Sequence, residues 1–185
     1  MRDTKRFINL ILIFDNIGEL EYMIERTLVL IKPDGVQRAL VGDIVSRFEK
    51  AGLKIVGMKM VWCDREHAMK HYTEDITIRR GEFVRNKLLN FLTQGPVVAM
   101  CYEGIGVVEV VRKIVGGTEP RTAAPGTIRG DYSHMSYDYA DSKNKAIPNL
   151  IHASGNREEA KTEIELWFKP EEIHSYKISH EDHVL

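Results

Sequence analysis

The sequence predicts an α/β fold of the α+β type, with a four-stranded antiparallel sheet and covering helices. Three observations lead to this prediction. Four short apolar segments have the length and composition of strands. Amphipathic segments of helical period lie between them. Their order is strand–helix–strand, then helices, then strand–helix–strand. This is the ferredoxin-like split βαβ arrangement, and helices on one face of the sheet are expected to cover it.

The predicted strands are bounded by turn residues. Residues 26–31 (RTLVLI) form a continuous apolar run, as expected for a strand that is covered on both faces. Pro33 and Gly35 end this run abruptly. Further strands are predicted at residues 53–62, 97–102 and 149–152.

The helix boundaries are also marked by residue type. Asp43 opens an amphipathic helix that Gly52 ends, and Asp64 is predicted to cap a short helix that reaches Tyr72. The charged residues 79–82 (RRGE) resemble a loop, and a long irregular segment is expected after Gly117. The other predicted helices cover residues 82–92, 105–115 and 157–168.

Composition restricts the class of protein. The 185 residues are 43% apolar and 29% charged, with a net charge of -1. This fits one globular domain over residues 23–185, and gives no global attraction to nucleic acid or to an anionic membrane. Residues 1–22 are predicted to be an extension of unknown role, since the apolar run at 8–14 is too short to span a bilayer. Cys63 and Cys101 indicate core thiols in a cytoplasmic protein.

The sequence contains neither of two standard phosphate-binding loops. The patterns GxxxxGK[ST] and the kinase glycine loop are absent. Lys32 leaves a buried strand and enters a Pro-Asp-Gly turn, where a rigid scaffold aims it. Taken alone, each basic or polar candidate also has an ordinary surface interpretation. The candidates for holding phosphate are Lys32, Arg112, Thr118, Arg129 and Asn149.

His152 stands out among the seven histidines of the chain by its context. It follows a short apolar segment and precedes a turn of small residues, which leaves room for a ligand. Ser154 and Glu163 are close enough in sequence to orient it, Glu163 from the following helix. A neutral imidazole is a competent nucleophile near neutral pH.

Four segments together resemble the signatures of the nucleoside diphosphate kinase family, in family order. They are residues 32–35 (KPDG), 95–98 (GPVV), 125–131 (PGTIRGD) and 149–154 (NLIHAS). The similarity extends over about residues 23–176. It implies reversible transfer of the terminal phosphate of a nucleoside triphosphate, mainly ATP, to a nucleoside diphosphate. It also implies a ping-pong path through phosphohistidine.

The resemblance implies roles for individual residues. His152 takes the phosphoryl group with the support of Ser154 and Glu163, and Tyr72 is an active-site residue near the lysine. Mg²⁺ is implied as a bridge between nucleotide phosphates, with no metal ligand from the protein. The family forms homo-oligomers, so a hexamer or a tetramer is expected. The implied ligands of the phosphates and the sugar are Lys32, Arg112, Thr118, Arg129 and Asn149.

The sequence departs from the family pattern at two places. The aromatic residue that stacks on the base aligns with Val84 without a gap and with Phe83 after a shift of one residue. We select Phe83 because every base has a π-face. Residues 132–148 exceed the usual spacing by roughly ten residues, and this insertion is interpreted either as a longer surface loop or as a change to the subunit contacts.

Two other functions remain open at this point. The first is a non-catalytic member of the same fold that acts as a scaffold or regulator; the complete set of phosphate ligands argues against it. The second is a ferredoxin-like nucleotide- or RNA-binding module. The candidate strands lack the aromatic run that RNA-recognition sheets carry, and the net charge is near zero.

Overall fold

The computed structural model describes residues 24–184, so the predicted extension at 1–22 lies outside the described residues. Within this range the strands form one four-stranded antiparallel sheet in the order β2-β3-β1-β4. The predicted sheet is confirmed. The strands are β1 (Ile24–Ile31), β2 (Lys54–Val61), β3 (Val97–Ile105) and β4 (Ile151–Ala153).

The helices connect and cover these strands. Helix α3 begins where predicted, because the Asp64 carboxylate accepts a hydrogen bond from the main-chain N–H of His67 at 2.8 Å. The α-helices are α1 (Pro33–Gln37), α2 (Val41–Lys50), α3 (Arg65–His71), α4 (Glu74–Arg80), α5 (Glu82–Thr93), α6 (Val107–Val115), α7 (Ile128–Tyr132), α8 (Tyr137–Ser142), α9 (Arg157–Trp167) and α10 (Glu181–Val184). None of the helices in residues 24–184 has the length and apolar character that a membrane span requires.

Both faces of the sheet are covered, so the expectation of helices on one face was wrong. Val29 and Ile31 of β1 point into a core shared with α2, α6 and α7. Leu28 and Leu30 point into a second core shared with α3, α5 and α9. Successive side chains of a strand alternate between its faces, and the apolar residues at every position from Leu28 to Ile31 therefore require cover on both sides.

Two segments predicted as loops contain helices. Residues 79–82 do not form a loop: Arg79 and Arg80 end α4, and Glu82 begins α5. Gly81 separates the two helices with a φ of 86°, a left-handed conformation that glycine adopts without strain. The segment after Gly117 contains α7 and α8, so it is only partly irregular.

The turn after β1 is anchored to the residues that precede β4. The N–H of Lys32 donates to the Leu150 carbonyl at 2.8 Å, and the Asp34 carboxylate accepts from the Leu150 N–H at 3.0 Å. Leu150 has a φ of 70°, which is strained for a branched residue, and these two bonds hold it there. A Cβ on Gly35 would lie 3.0 Å from the Leu150 carbonyl oxygen, so the turn requires glycine for this approach.

Candidate active site

An open cavity of about 580 Å³ lies where β1 ends and β4 begins. Its volume is in the range of small-molecule sites. The structure brings most of the predicted site residues to this cavity. Those that line it are Lys32, Tyr72, Arg112, Thr118, Arg129, Asn149 and His152.

His152 is fixed from behind by a carboxylate. Its Nε2 lies 2.8 Å from Oε1 of Glu163, which projects from α9. The hydroxyl of Ser154 donates to the other oxygen of Glu163 at 2.6 Å. Since both oxygens of Glu163 are engaged, the carboxylate is held in place and sets the orientation of the imidazole. Among the described residues, no group bonds to Nδ1 of His152, so this nitrogen is the one left for chemistry.

Lys32 is a buried cation held by a side-chain amide. Its Nζ donates to Oδ1 of Asn149 at 2.8 Å, and Nδ2 of Asn149 donates to the Thr118 carbonyl at 3.0 Å. Burial, together with the charge of Arg129, lowers the pKa of Lys32 to about 8. The ammonium is therefore mostly charged at neutral pH, in an environment where an anion would stabilise it.

Arg129 is fixed by main-chain carbonyl groups. Its guanidinium donates to the carbonyls of Gly116 at 3.0 Å, Asn149 at 3.2 Å and Ile151 at 2.6 Å. Burial lowers the pKa of Arg129 to about 10, and the group stays charged at neutral pH. These bonds connect the loop after α6 to β4, so Arg129 both positions the site and supplies it with charge.

Three further predicted residues complete this end of the cavity. Arg112 and Thr118 are exposed, and both face the cavity from α6 and the loop that follows it. Tyr72 is buried, and burial raises the pKa of its phenol above the usual value. Tyr72 therefore remains protonated and is available as a hydrogen-bond donor.

The structure does not bring Phe83 to the cavity. Its ring is 61% exposed and lies 4.4 Å from Nζ of Lys87. Val84 and Leu88 of α5 line the cavity instead. The geometry favours the ungapped alternative, Val84, because a helix directs neighbouring residues about 100° apart around its axis.

His71 is a neighbour of the catalytic cluster that the sequence did not single out. Its Nδ1 accepts from Nε1 of Trp167 at 3.3 Å and lies 3.7 Å from Oε1 of Glu163. Its ring packs edge-on against that of His152, with centroids 4.6 Å apart. Burial lowers the pKa of His71 well below its usual value, so it is neutral. In the sequence, only its position directly before Tyr72 could have indicated that His71 lies near the site.

The same cluster has ligand types that could bind a metal. Ligand atoms of His71, His152 and Glu163 lie within 4.8 Å of one another. However, Nε2 of His152 is already bonded to Glu163, and Nδ1 of His71 accepts from Trp167. These internal bonds are those of an orienting network around the imidazole.

The segment that exceeds the family spacing also contributes to the cavity. It forms α8 and the chain that follows, and it is not only a longer surface loop. The sequence did not assign these residues to the site, because nothing in their pattern indicates which side of the loop faces inward. Those that line the cavity are Tyr137, Ala140, Asp141, Lys145, Ala146 and Ile147.

Comparisons with known proteins identify the family of this chain. A family model described as nucleoside diphosphate kinase matches residues 25–173. The chain is 56% identical over 153 residues to a nucleoside diphosphate kinase of Pyrococcus furiosus, covering 83% of this chain and 88% of that protein. It is 49% identical over 156 residues to one from Borreliella burgdorferi, covering 84% and 93% of the two chains.

Solved structures give the same result for the fold. A transition-state mimic of nucleoside-diphosphate kinase from Borrelia burgdorferi, with bound vanadate and ADP, superposes with a TM-score of 0.86 at 48% identity. The match covers 88% of this chain and 98% of that one. A halophilic nucleoside diphosphate kinase from Halobacterium salinarum in complex with CDP has a TM-score of 0.73 at 40% identity, covering 85% and 96%. The chain therefore belongs to the nucleoside diphosphate kinase family of phosphotransferases.

Proposed function

We propose that this chain transfers the terminal phosphate of a nucleoside triphosphate, mainly ATP, to a nucleoside diphosphate through a phosphorylated His152. The observation that carries this proposal is the imidazole at the cavity wall, whose Nε2 is bonded to Glu163 while Nδ1 is left without a partner among the described residues. A nucleophile that is oriented by a fixed base is the expected arrangement for covalent catalysis.

The reaction has two balanced steps at Nδ1. In the first, the Nδ1 lone pair attacks the γ-phosphorus, the bond from phosphorus to the β,γ-bridging oxygen breaks, and the diphosphate leaves. In the second, a terminal oxygen of another diphosphate attacks the same phosphorus and the P–N bond breaks. The carboxylate of Glu163 stabilises the positive charge that develops on the imidazole. One site thereby serves the donor and the acceptor in turn.

The cationic groups at this end of the cavity stabilise the charge of the transferring phosphoryl group. Phosphoryl transfer depends mainly on positioning and electrostatic stabilisation. Lys32 and Arg129 are held by Asn149 and by main-chain carbonyls, so they need little reorganisation as the charge develops. Arg112 faces the open cavity and is free to bind phosphate in a bidentate manner.

The residues at this end also fit a nucleotide that brings its own Mg²⁺. Among the described residues that line the cavity, Asp141 is the only carboxylate, and it lies beside α5 rather than among the phosphate ligands. A resident ion would need oxygen ligands of its own. When it is bound with the nucleotide, Mg²⁺ supplies further neutralisation of the phosphate oxygens.

The apolar part of the cavity is a suitable slot for the nucleobase. Val84 and Leu88 line it from α5, and Ala146 and Ile147 line it from the segment before β4. Apolar walls bind the faces of any base, so the slot fits several nucleotides. Val84, rather than Phe83, is our proposed contact on the α5 side.

We also propose that the protein is a homo-oligomer. Strand β2 is an edge of the described sheet, and Met58 and Met60 on it and Trp62 just after its end are exposed. An exposed apolar edge strand favours association, and a hexamer or a tetramer is expected. The two free, buried cysteines and the nucleotide substrates support a cytoplasmic location. Residues 23–185 are proposed as the catalytic domain and residues 1–22 as an extension.

The test is a phosphoenzyme assay combined with turnover. The purified protein with γ-labelled ATP should give an acid-labile, alkali-stable phosphoprotein, and it should transfer the label to a diphosphate. His152→Ala should lose both, with a fall in turnover of at least about a thousandfold. The matched control is His174→Ala, since His174 is exposed outside the site. Normal turnover of His152→Ala would remove this residue from the mechanism.

A further inference from the structure

An ion pair spans the cavity beside the apolar slot. Nζ of Lys87, from α5, lies 3.3 Å from Oδ1 of Asp141, at the end of α8. Both residues line the cavity. Lys87 is three residues after Val84 and adjacent to Leu88, so it borders the slot on one side. Asp141 follows Ala140, which also lines the cavity, and the pair therefore borders the base slot.

Lys87 is held in position by two groups. Its side chain is only 12% exposed, and its ammonium lies over the Phe83 ring as well as beside Asp141. A cation–π contact and an ion pair restrict a side chain that is otherwise mobile. The Phe83 ring therefore supports the side chain of Lys87 from outside the cavity.

Helix α8, which carries Asp141, is also anchored. The Ser136 hydroxyl accepts from the Tyr139 N–H at 3.3 Å, and the Glu119 carboxylate accepts from the Tyr137 N–H at 3.1 Å. Ala140 is buried. The first of these bonds caps the helix, and the bond to Glu119 connects it to the loop after α6, which carries Thr118. The extra residues therefore form a wall that is fixed relative to the phosphate ligands.

We infer that the Lys87–Asp141 pair contacts the edge of the nucleobase and favours guanine. This inference rests on the proposed function and specifies its substrate preference. Guanine offers an acceptor, O6, next to two donors, N1–H and N2–H. The ammonium of Lys87 donates to O6, and the carboxylate of Asp141 accepts from N1–H and N2–H. Beyond Lys87, no described side chain bonds to Asp141, so the carboxylate has acceptor capacity for both donors.

The other bases match this pair less completely. Adenine offers one amino donor and the N1 acceptor, and hypoxanthine has O6 and N1–H but no amino group. The comparison of GDP with IDP therefore isolates one hydrogen bond, from N2–H to Asp141. Asp141 is 73% exposed, so the bond competes with water and its effect is modest. We expect GDP to exceed IDP in kcat/KM by about fivefold.

The experiment measures kcat/KM for GDP and IDP as acceptors, with ATP as donor, in three proteins. The wild type should favour GDP, and Asp141→Asn should reduce the GDP-to-IDP ratio to about one. Asp138→Asn is the matched control, because Asp138 lies on the same helix, is exposed and does not line the cavity. It should keep the ratio of the wild type. Dissociation constants of GDP and IDP for His152→Ala, with and without Asp141→Asn, give the same comparison without catalysis.

A second variant identifies the partner of O6. Lys87→Gln should lower kcat/KM for GDP and for IDP equally, since both bases carry O6. The GDP-to-IDP ratio of kcat/KM should therefore stay unchanged. A wild-type ratio near one, or a ratio that Asp141→Asn does not change, would overturn the inference while turnover stays intact. Absence of phosphotransfer to every diphosphate would instead reject the proposed function, and the dissociation constants would still test the base contact.

Discussion

The two ends of the cavity are built differently. At the phosphate end, Lys32, Arg129 and Asn149 are buried and bonded to one another or to main-chain carbonyls. At the base end, Lys87 and Asp141 form a side-chain pair on two helices, and Asp141 is largely exposed. The first arrangement is rigid because the hydrogen bonds that hold these side chains also connect separate parts of the fold. The second arrangement depends on an ion pair whose carboxylate is exposed to water.

This difference indicates which residues should determine the turnover rate and which should determine the preference among nucleotides. Electrostatic stabilisation of a transition state is strongest when fixed groups act where water is excluded. Exposed pairs contribute little free energy because water and salt screen them. Substitutions at the phosphate end are therefore expected to lower turnover by large factors for every nucleotide. Substitutions at the base end should change the ranking of nucleotides by small factors.

Lys32→Ala should have a larger effect than substitutions of Glu163, Val84 or Phe83. Removal of one fixed donor to the transition state lowers kcat/KM by about a hundredfold. The loss should be similar for GDP, IDP and ADP, because the proposed contact of the ammonium is with phosphate rather than with the base. Steady-state kinetics with each acceptor measure this, and Lys161→Ala, an exposed lysine on α9, is the control. A loss confined to one base would contradict the division between the two ends.

The same lysine predicts a pH dependence. Its pKa is about 8, so kcat/KM of the wild type should fall as the pH rises through 8 and the ammonium loses its charge. Folding lowers this pKa, which means that the unfolded chain holds more protons above pH 8. The contribution of Lys32 to stability therefore increases in the range where activity falls.

Measurements between pH 7 and 9.5 separate these two effects. Activity should decline while the melting temperature shows no parallel decrease, and Lys32→Ala should lack the decline. A wild-type profile that stays flat to pH 9.5 would show that Lys32 keeps its proton in the free enzyme.

Glu163→Gln should have an intermediate effect. The amide keeps the size of the carboxylate but loses the charge that stabilises the imidazolium, so kcat should fall by about tenfold. The fold should remain intact, since the variant retains an acceptor for Ser154. Rapid-quench measurement of phosphoenzyme formation follows the step directly. Glu165→Gln, exposed on the same helix, is the control and should react at the normal rate.

Substitutions on α5 should have the smallest effect and decide between Val84 and Phe83. Val84→Thr places a hydroxyl in the apolar slot and should raise KM about threefold for all bases. Phe83→Leu should change KM for ADP by less than about twofold, because the ring lies outside the cavity. If Phe83→Leu raises KM for every nucleotide more than Val84→Thr does, then Phe83 and not Val84 is the residue that contacts the base.

Sequence alone predicted the sheet because strand patterns are local. The apolar run before the KPDG turn, the Asp64 cap and the Gly52 stop each depend on neighbouring residues, and the structure has elements at these places. The helices at 74–80 and 137–142 were missed because they depend on contacts between distant segments, which no local pattern contains. The apolar run at 26–31 indicated cover on both faces, whereas the fold class led us to expect helices on one face only.

For the site, the motifs alone predicted His152, its proposed phosphate ligands and its proposed supporting carboxylate, because each of these residue types has few alternatives in this chemistry. Only the tertiary structure decided how they are held. Oδ1 of Asn149 reaches Nζ of Lys32 only because the turn after β1 meets the residues before β4, where Asp34 and the Lys32 N–H anchor the strained Leu150. His71, Val84 and Asp141 belong to the site through the packing of three helices, and sequence separation conceals such proximity.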